Sequence, residues 1–371
     1  MFVALRDLRH ARGRFALMLV VITLITFLVT FLAALTAGLS RESTSAITDL
    51  PADHLAFAMP APTDPPEFTA SSVTADQWRA WAETPGVRSA EPLGVAMTRA
   101  ESPATTASVT ALGVAPGSAV LPGGSPNLAA GTVVLSAGAA QALSAGAGDT
   151  ITLAGQELRV GAVRDAEVSF AHTPVVWTTL ADWQSIGARG GDGADDRADA
   201  PDTVATVIAL TLDSPATGAI ATTDATAGTT TVTTTQARSA IGSFSAENGS
   251  LTTMQVFLLV ISALVVGAFF TVWTISRAGE VAVLKALGAS TGYLLRDAIG
   301  QAVVVLLLGV GAGTALAVAG AALLSDAVPV VVTPATTALP AVALIGLGLV
   351  GAALAIVRIT RVDPHAALAA H

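Results

Sequence analysis

The stretch FALMLVVITLITFLVTFLAALTAGL, residues 15–39, runs without a single ionisable side chain. An α-helix rises 1.5 Å per residue, so about 20 such residues cross the hydrocarbon core of a bilayer. The run is longer than the roughly 7–15 apolar residues of a secretory signal, which predicts an uncleaved first membrane span. Three further runs share its character, at 251–276, 298–325 and 339–357. Charged residues make up 12% of the chain, against about 25% in an ordinary soluble domain, a shortfall that fits lipid as part of the solvent. The fold class read from this pattern is an α-helical membrane protein with four transmembrane helices. A large α+β extracytoplasmic domain is inserted between the first and second helices.

Charge gives the orientation. Arg6, Arg9, Arg12 and Arg14 precede the first run, Arg277, Lys285 and Arg296 lie between the second and third, and Arg358 and Arg361 follow the fourth. With Asp7, Glu280, Asp297 and Asp363 these segments carry a net +5, whereas residues 40–250 carry −13. By the positive-inside rule both termini and the 277–297 loop are cytoplasmic. The expected organisation is a cytoplasmic N-terminal segment, 1–13, a first span, 14–39, an external domain, 40–250, and a second span, 251–276. A cytoplasmic loop, 277–297, a third span, 298–325, an external loop, 326–338, a fourth span, 339–357, and a cytoplasmic tail, 358–371, complete it. Residues 2–12 place Ala4, Leu5, Leu8 and Ala11 on one helical face. They read either as a short helix on the membrane surface, its arginines near anionic headgroups, or as a plain topogenic cluster.

Within the external segment, TADQWRAWAETPGV (74–87) predicts a short helix closed by a Pro-Gly turn, followed by a strand. Residues 131–163 predict a strand at 132–136, an alanine-rich helix near 137–145, and strands at 150–153 and 157–163. TPVVWTTLADW (173–183) adds a strand and a short helix. RGGDGADDRADAPD (189–202) reads as a solvated acidic loop, because an EF-hand pattern is absent. The Thr/Ala-rich run 214–237 fits either an irregular strand-and-loop return or a flexible stalk. Prolines 329, 334 and 340 predict a connection outside the spans.

Catalytic signatures are missing. The chain has no cysteine, its five histidines are scattered, and no G-x-x-x-x-G-K-[ST] occurs. GLGLVG (346–351) matches a dinucleotide fingerprint in letters only, since it lies inside an apolar run rather than after a strand. Its Gly346, Gly348 and Gly351, with Gly309, Gly311 and Gly313 of the third run, read as small surfaces for helix packing. The chain reads as no enzyme by itself, with no cofactor, metal or nucleic acid of its own.

RAGEVAVLKALGAS, residues 277–290, holds the only lysine of the chain, Lys285. Val281, Val283, Leu284 and Leu287 share one side of a helical wheel, and Ala282, Ala286 and Ala289 the other. Gly288 suits a helix stop and Ser290 an N-cap for the next helix. A short two-faced helix that meets a partner, with Glu280 and Lys285 setting register, and a solvent-exposed topogenic loop both fit the pattern.

The same stretch resembles the cytoplasmic motif of the FtsX-like (MacB-type) ABC transporter permeases. So do ALRDLRHARGRF before the first run and RITRVDPHAAL after the last, while 74–87 and 131–153 resemble the MacB-like periplasmic core domain. The resemblance implies a permease of a bacterial plasma membrane that works with a separate ABC ATPase, which would hold ATP and magnesium. Glu280, Val281, Ala282, Leu284, Lys285, Leu287 and Gly288 would then form the coupling helix at the ATPase surface. A second permease copy, the lipid bilayer and an extracytoplasmic adaptor are the other partners it implies. The output would be export or extraction of a lipid, peptide, lipoprotein or drug. Control of a cell-wall hydrolase or sensor by mechanotransmission is the alternative, and a membrane-anchored sensory or adhesion protein without an ATPase is a third.

Overall fold

The computed structural model describes residues 12–61, 64–121, 128–190, 204–213, 217–276, 279, 283, 287–288, 290–325 and 327–360. The chain divides into two compact units, residues 40–248 and residues 1–39 with 249–371. The short N-terminal surface helix read at 2–12 lies outside the described residues except for Arg12, and the acidic loop read at 189–202 lies outside them from residue 191 on. Arg189 and Gly190 end a helix, Leu180–Gly190, rather than belonging to a loop.

Among the described residues, four helices are long and apolar enough to cross a membrane. They are α1 (Arg12–Thr48), α6 (Gly242–Ser276), α7 (Thr291–Leu324) and α8 (Pro334–Thr360). In the unit they dominate, Met18, Ile22, Val266, Phe270, Val305, Leu306 and Leu344 form a buried core. Leu24, Phe257, Leu264, Leu323 and Leu339 instead lie on the outside. A helix with apolar side chains on both inner and outer faces suits lipid. Apolar burial cannot hold such helices together in lipid, so contact depends on how closely backbones approach. A Cβ added to Gly313 of α7 would stand 2.5 Å from the Thr23 carbonyl oxygen of α1, and one on Gly309 would meet Ile22 at 2.6 Å. Ala317 and Ala321, buried at the next two four-residue steps along α7, continue this row of small side chains. Gly351 of α8 meets Gly267 of α6 with 3.1 Å between the added Cβ and the opposing Cα. Gly348 gives room to Leu306, whereas Gly346 faces open space.

Helix α8 begins inside the segment read as an external loop to residue 338. Pro334 takes the first helical position, where a missing N–H costs nothing. Thr333 caps the start: its Oγ1 accepts from Thr336 N–H at 3.2 Å, and its own N–H donates to Thr336 Oγ1 at 2.8 Å. Pro340 is carried within the helix.

Residues 40–248 are built on a sheet formed, among the described residues, by ten strands. These include β1 (His54–Ala58), β3 (Val87–Glu101), β4 (Thr106–Val114), β5 (Thr132–Ser136), β6 (Thr150–Leu153), β7 (Gln156–Arg164), β8 (Ser169–Phe170), β9 (Thr173–Thr179), β11 (Val207–Leu212) and β12 (Thr229–Thr233). The remaining two, β2 (Val73–Thr74) and β10 (Val204–Ala205), pair with each other. The order is β12-β1-β11-β3-β4-β9-β5-β7-β6, and β6 pairs back to β3 through Ala100↔Leu153 and Glu101↔Thr152. Six strands thus close on themselves around Val109, Val133, Leu135, Ile151, Leu158 and Val176. A second core, with Ile47 of α1, Leu55 and Phe57 of β1, Leu93 of β3 and Leu112 of β4, draws on closing and remaining strands alike.

Among the described residues this unit also has the short helical elements α2 (Ala75–Ala82), α3 (Ala137–Leu143), α4 (Leu180–Gly190), α5 (Thr217–Ala227) and a 3₁₀ turn, Gln236–Ala240. Thr74 and Gln77 form a capping box for α2, as Ser136 caps α3 through Ala139 N–H. Trp183 of α4 lies on the cross-strand pair Gly94↔Gly113, where a Cβ on either glycine would fall 2.4–2.5 Å from the Trp183 side chain. The Thr/Ala-rich run 217–233 is neither a stalk nor irregular: it is α5 followed by β12. Asp224 ties the two together by accepting from Thr229 Oγ1 (2.7 Å), Thr231 N–H (3.0 Å) and Thr231 Oγ1 (2.8 Å).

Gly313→Ala drives a Cβ into backbone and is expected to lower stability by about 1–3 kcal/mol. Gly346→Ala meets nothing and is expected to be neutral or stabilising by up to about 1 kcal/mol. Unfolding in mixed detergent micelles measures both, and equal effects at the two sites would contradict the packing.

Candidate functional site

The segment between α6 and α7 is where sequence reading places a contact with a partner. Glu280, Val281, Ala282, Leu284 and Lys285 lie outside the described residues. Leu287 and Gly288 are described: Leu287 is 79% exposed and its N–H donates to Val283 O at 3.0 Å, the bond of a helical turn. Val283 is exposed as well. Gly288 has φ +94°, a left-handed backbone that stops a helix and favours glycine. Two residues on, Ser290 opens α7 as its N-cap, its Oγ accepting from Tyr293 N–H at 3.3 Å. The chain therefore ends one helical turn and begins a long helix within three residues, leaving two large apolar side chains in the open. Val283 and Leu287 thus stand exposed one helical turn apart.

Around this loop, Arg12 and Arg14 fall in α1 and Arg358 in α8, near the helix ends. Arg6, Arg9 and Arg361 lie outside the described residues. Arg296 and Asp297 sit in the second turn of α7, where Asp297 accepts from the buried Gln301 side chain at 2.9 Å. Of the six glycines that read as packing surfaces, Gly309 and Gly313 face α1, Gly351 faces α6, Gly348 meets Leu306 of α7, and Gly311 and Gly346 meet nothing within 4 Å. Gly267, alone in its run, carries no such signal in the sequence, nor does Thr23, whose Oγ1 donates to Gly309 O at 3.3 Å, a hydroxyl bond that the approach at glycine permits.

No group of three or more His, Asp or Glu able to hold a metal ion occurs among the described residues. The buried Asp182 accepts from Gly131 N–H (3.0 Å), Gln156 (3.3 Å) and Thr179 Oγ1 (2.7 Å), which makes it a structural tie between β5, β7 and α4.

A family described as the MacB-like periplasmic core domain matches residues 15–228, more than half of the chain. The family described as FtsX-like permease C-terminal matches residues 252–364. The chain belongs to the FtsX/MacB-type permease family. This is a family of ABC-type permease subunits, and with four apolar helices the permease is a bacterial membrane protein. Among curated relatives, a candidate hemin transport system permease protein, HrtB, of Staphylococcus epidermidis is 30% identical over 141 residues, covering 38% of this chain and 40% of the relative. The HrtB of Staphylococcus haemolyticus is 31% identical over 128 residues, covering 34% and 36% respectively. The permease thus matches about two fifths of the length of these relatives. Among solved structures, the extracellular domain of the noncanonic ABC-type transporter YknZ from Gram-positive bacteria aligns at 15% identity and TM-score 0.34. That alignment covers 49% of the permease and 98% of the domain. The periplasmic region of MacB from Actinobacillus actinomycetemcomitans aligns at 12% identity and TM-score 0.35, covering 52% and 93%.

Removing the cap by Ser290→Ala is expected to cost about 1 kcal/mol at the start of α7, read by unfolding in mixed micelles. Gly288→Val, a β-branched residue at positive φ, is expected to cost more than that. Wild-type stability in both variants would argue against the tight loop-to-helix junction.

Proposed function

We propose that this permease couples ATP hydrolysis by a separate ABC ATPase to movement of residues 40–248 on the outer side of the membrane, for export or extraction of an amphiphilic substrate. The observation that carries the reading is the family match over 15–228 and 252–364 together with the motif RAGEVAVLKALGAS between the second and third apolar helices. In this reading residues 277–290 are the coupling helix, and Glu280, Val281, Ala282, Leu284, Lys285, Leu287 and Gly288 lie against the ATPase. The exposed apolar side chains of Val283 and Leu287 support such a contact, since an unpartnered apolar pair in water gains by being covered.

Both termini and the coupling loop face the cytoplasm in this reading, on the strength of the charge split. Arg6, Arg9, Arg12, Arg14, Arg358 and Arg361 line the inner surface, where each arginine near anionic headgroups contributes about 1 kcal/mol. ATP and magnesium belong to the partner. A second permease copy completes the complex, because one ATPase pair needs two coupling loops. Lipids, peptides, lipoproteins and drugs are the substrate classes, and hemin, named for the HrtB relatives, is the first compound to test.

The joint substitution Glu280→Ala/Lys285→Ala is expected to leave membrane insertion and expression unchanged and to abolish substrate export while the ATPase still turns over. Export assayed in cells carrying the permease and the ATPase encoded beside it reads this directly. Unchanged export in the double variant would remove the coupling role from these residues. Unchanged export together with capture of a wall hydrolase by residues 40–248 would favour the regulatory output instead.

A further inference from the structure

Two consecutive residues at the tip of the β8–β9 hairpin hold a left-handed backbone without being glycine: Ala171 at φ 49° and His172 at φ 63°. The pair Phe170↔Thr173 makes them the two central residues of a two-residue hairpin loop, positions that ordinarily favour Asn-Gly. Strained backbone of this kind persists where surrounding contacts over-determine it.

Those contacts reach three elements. Ala171 N–H donates to the Ser43 carbonyl at 2.9 Å, and Ser169 N–H donates to Ser45 Oγ at 2.9 Å, both on the polar end of α1. His172 Nε2 lies 2.8 Å from a Glu247 carboxylate oxygen on α6, and its Nδ1 lies 3.6 Å from one of Glu42 on α1. The first distance is a hydrogen bond and the second is longer than one, so the ring is tied to Glu247 and stands beside Glu42. Behind the tip, buried Phe170 packs edge-on to Phe68, with ring centres 5.2 Å apart, and Phe68 packs on Phe57 of β1 at 5.0 Å. Thr173 Oγ1 lies 2.6 Å from Thr110 Oγ1 of β4. An exposed ion pair alone stabilises little, but here it closes a set of backbone, hydroxyl and ring contacts that already fix the tip.

We propose that His172 is a positioning residue that fastens the polar ends of α1 and α6 to each other and to the sheet of residues 40–248. Displacement of either helix end is then carried into β8, β9 and β4 instead of being absorbed in a loop. The transmitted movement rests on the coupling reading above; the clasp itself does not.

The chain has no cysteine, so spin labels attach only at Arg41→Cys and Ser245→Cys, exposed positions on the two helix ends. In the full-length permease in lipid nanodiscs, the label-to-label distance is expected to show one narrow population. His172→Ala and His172→Asn are each expected to broaden it and add longer distances. Asparagine tolerates the left-handed turn, so its effect isolates the bridge from the turn. Ala171→Gly relaxes the turn, keeps the bridge and is expected to stay narrow. An unchanged distribution in both His172 variants, or a broad one in Ala171→Gly, would overturn the proposal. These distances need no ATPase, so they stand apart from the coupling reading. Where an ATP-driven shift in the same distance is seen in the wild type, its loss in His172→Asn supports transmission through the clasp, and its persistence contradicts it.

Discussion

Hydrocarbon offers no hydrogen-bond partner, so a chain crossing it must satisfy its backbone polar groups internally and place its charges elsewhere. That constraint explains the composition, the long apolar helices and the gathering of charge into short loops and the unit of residues 40–248. It also decides what holds the helices together. With lipid as apolar as leucine, contact is gained by proximity, and proximity by removing side chains. Gly309 and Gly313 let α7 lie against the backbone of α1, and the Gly267–Gly351 pair does the same for α6 and α8. The Thr23 hydroxyl reaching Gly309 O is a consequence of that approach.

The unit of residues 40–248 obeys the opposite rule, with water outside and burial inside. Its sheet order brings β6 back to β3, so the edge strands there are paired rather than exposed. Trp183 on the Gly94↔Gly113 pair repeats in water the same device of a missing Cβ, here making room for a ring instead of a helix. Both α1 and α6 continue from apolar sequence into this unit, α1 to Thr48 and α6 from Gly242.

Periodicity and cap chemistry made much of this legible. The apolar runs mark the four helices because an uninterrupted apolar stretch of about 20 residues satisfies its backbone in lipid as a helix. Gly288 and Ser290 announced the end of one helical turn and the start of α7, whereas the capping by Thr74 and Ser136 shows only in the structure. Helix ends beyond the apolar runs were not legible: polar residues 40–48 continue α1 with packing from buried Ile47, which no local pattern reveals. Pro340 suggested a loop, yet near the start of α8 the helix tolerates it. Residues 217–233 hid a helix and strand because the Asp224 contacts that join them are tertiary. The coupling motif was legible as a resemblance, while His172 was not, since a lone histidine carries no signal until folding sets two carboxylates beside it.

The central claim is that this permease converts ATP turnover by another chain into movement of residues 40–248. Purification of the full-length permease in mild detergent, followed by hydrogen exchange with and without ATP, tests it most directly. The account predicts a copurifying protein that contains a G-x-x-x-x-G-K-[ST] loop, and an ATP-dependent change in exchange within residues 40–248. A permease that purifies with no ATP-binding partner, and whose exchange in 40–248 is the same with and without ATP, would contradict it.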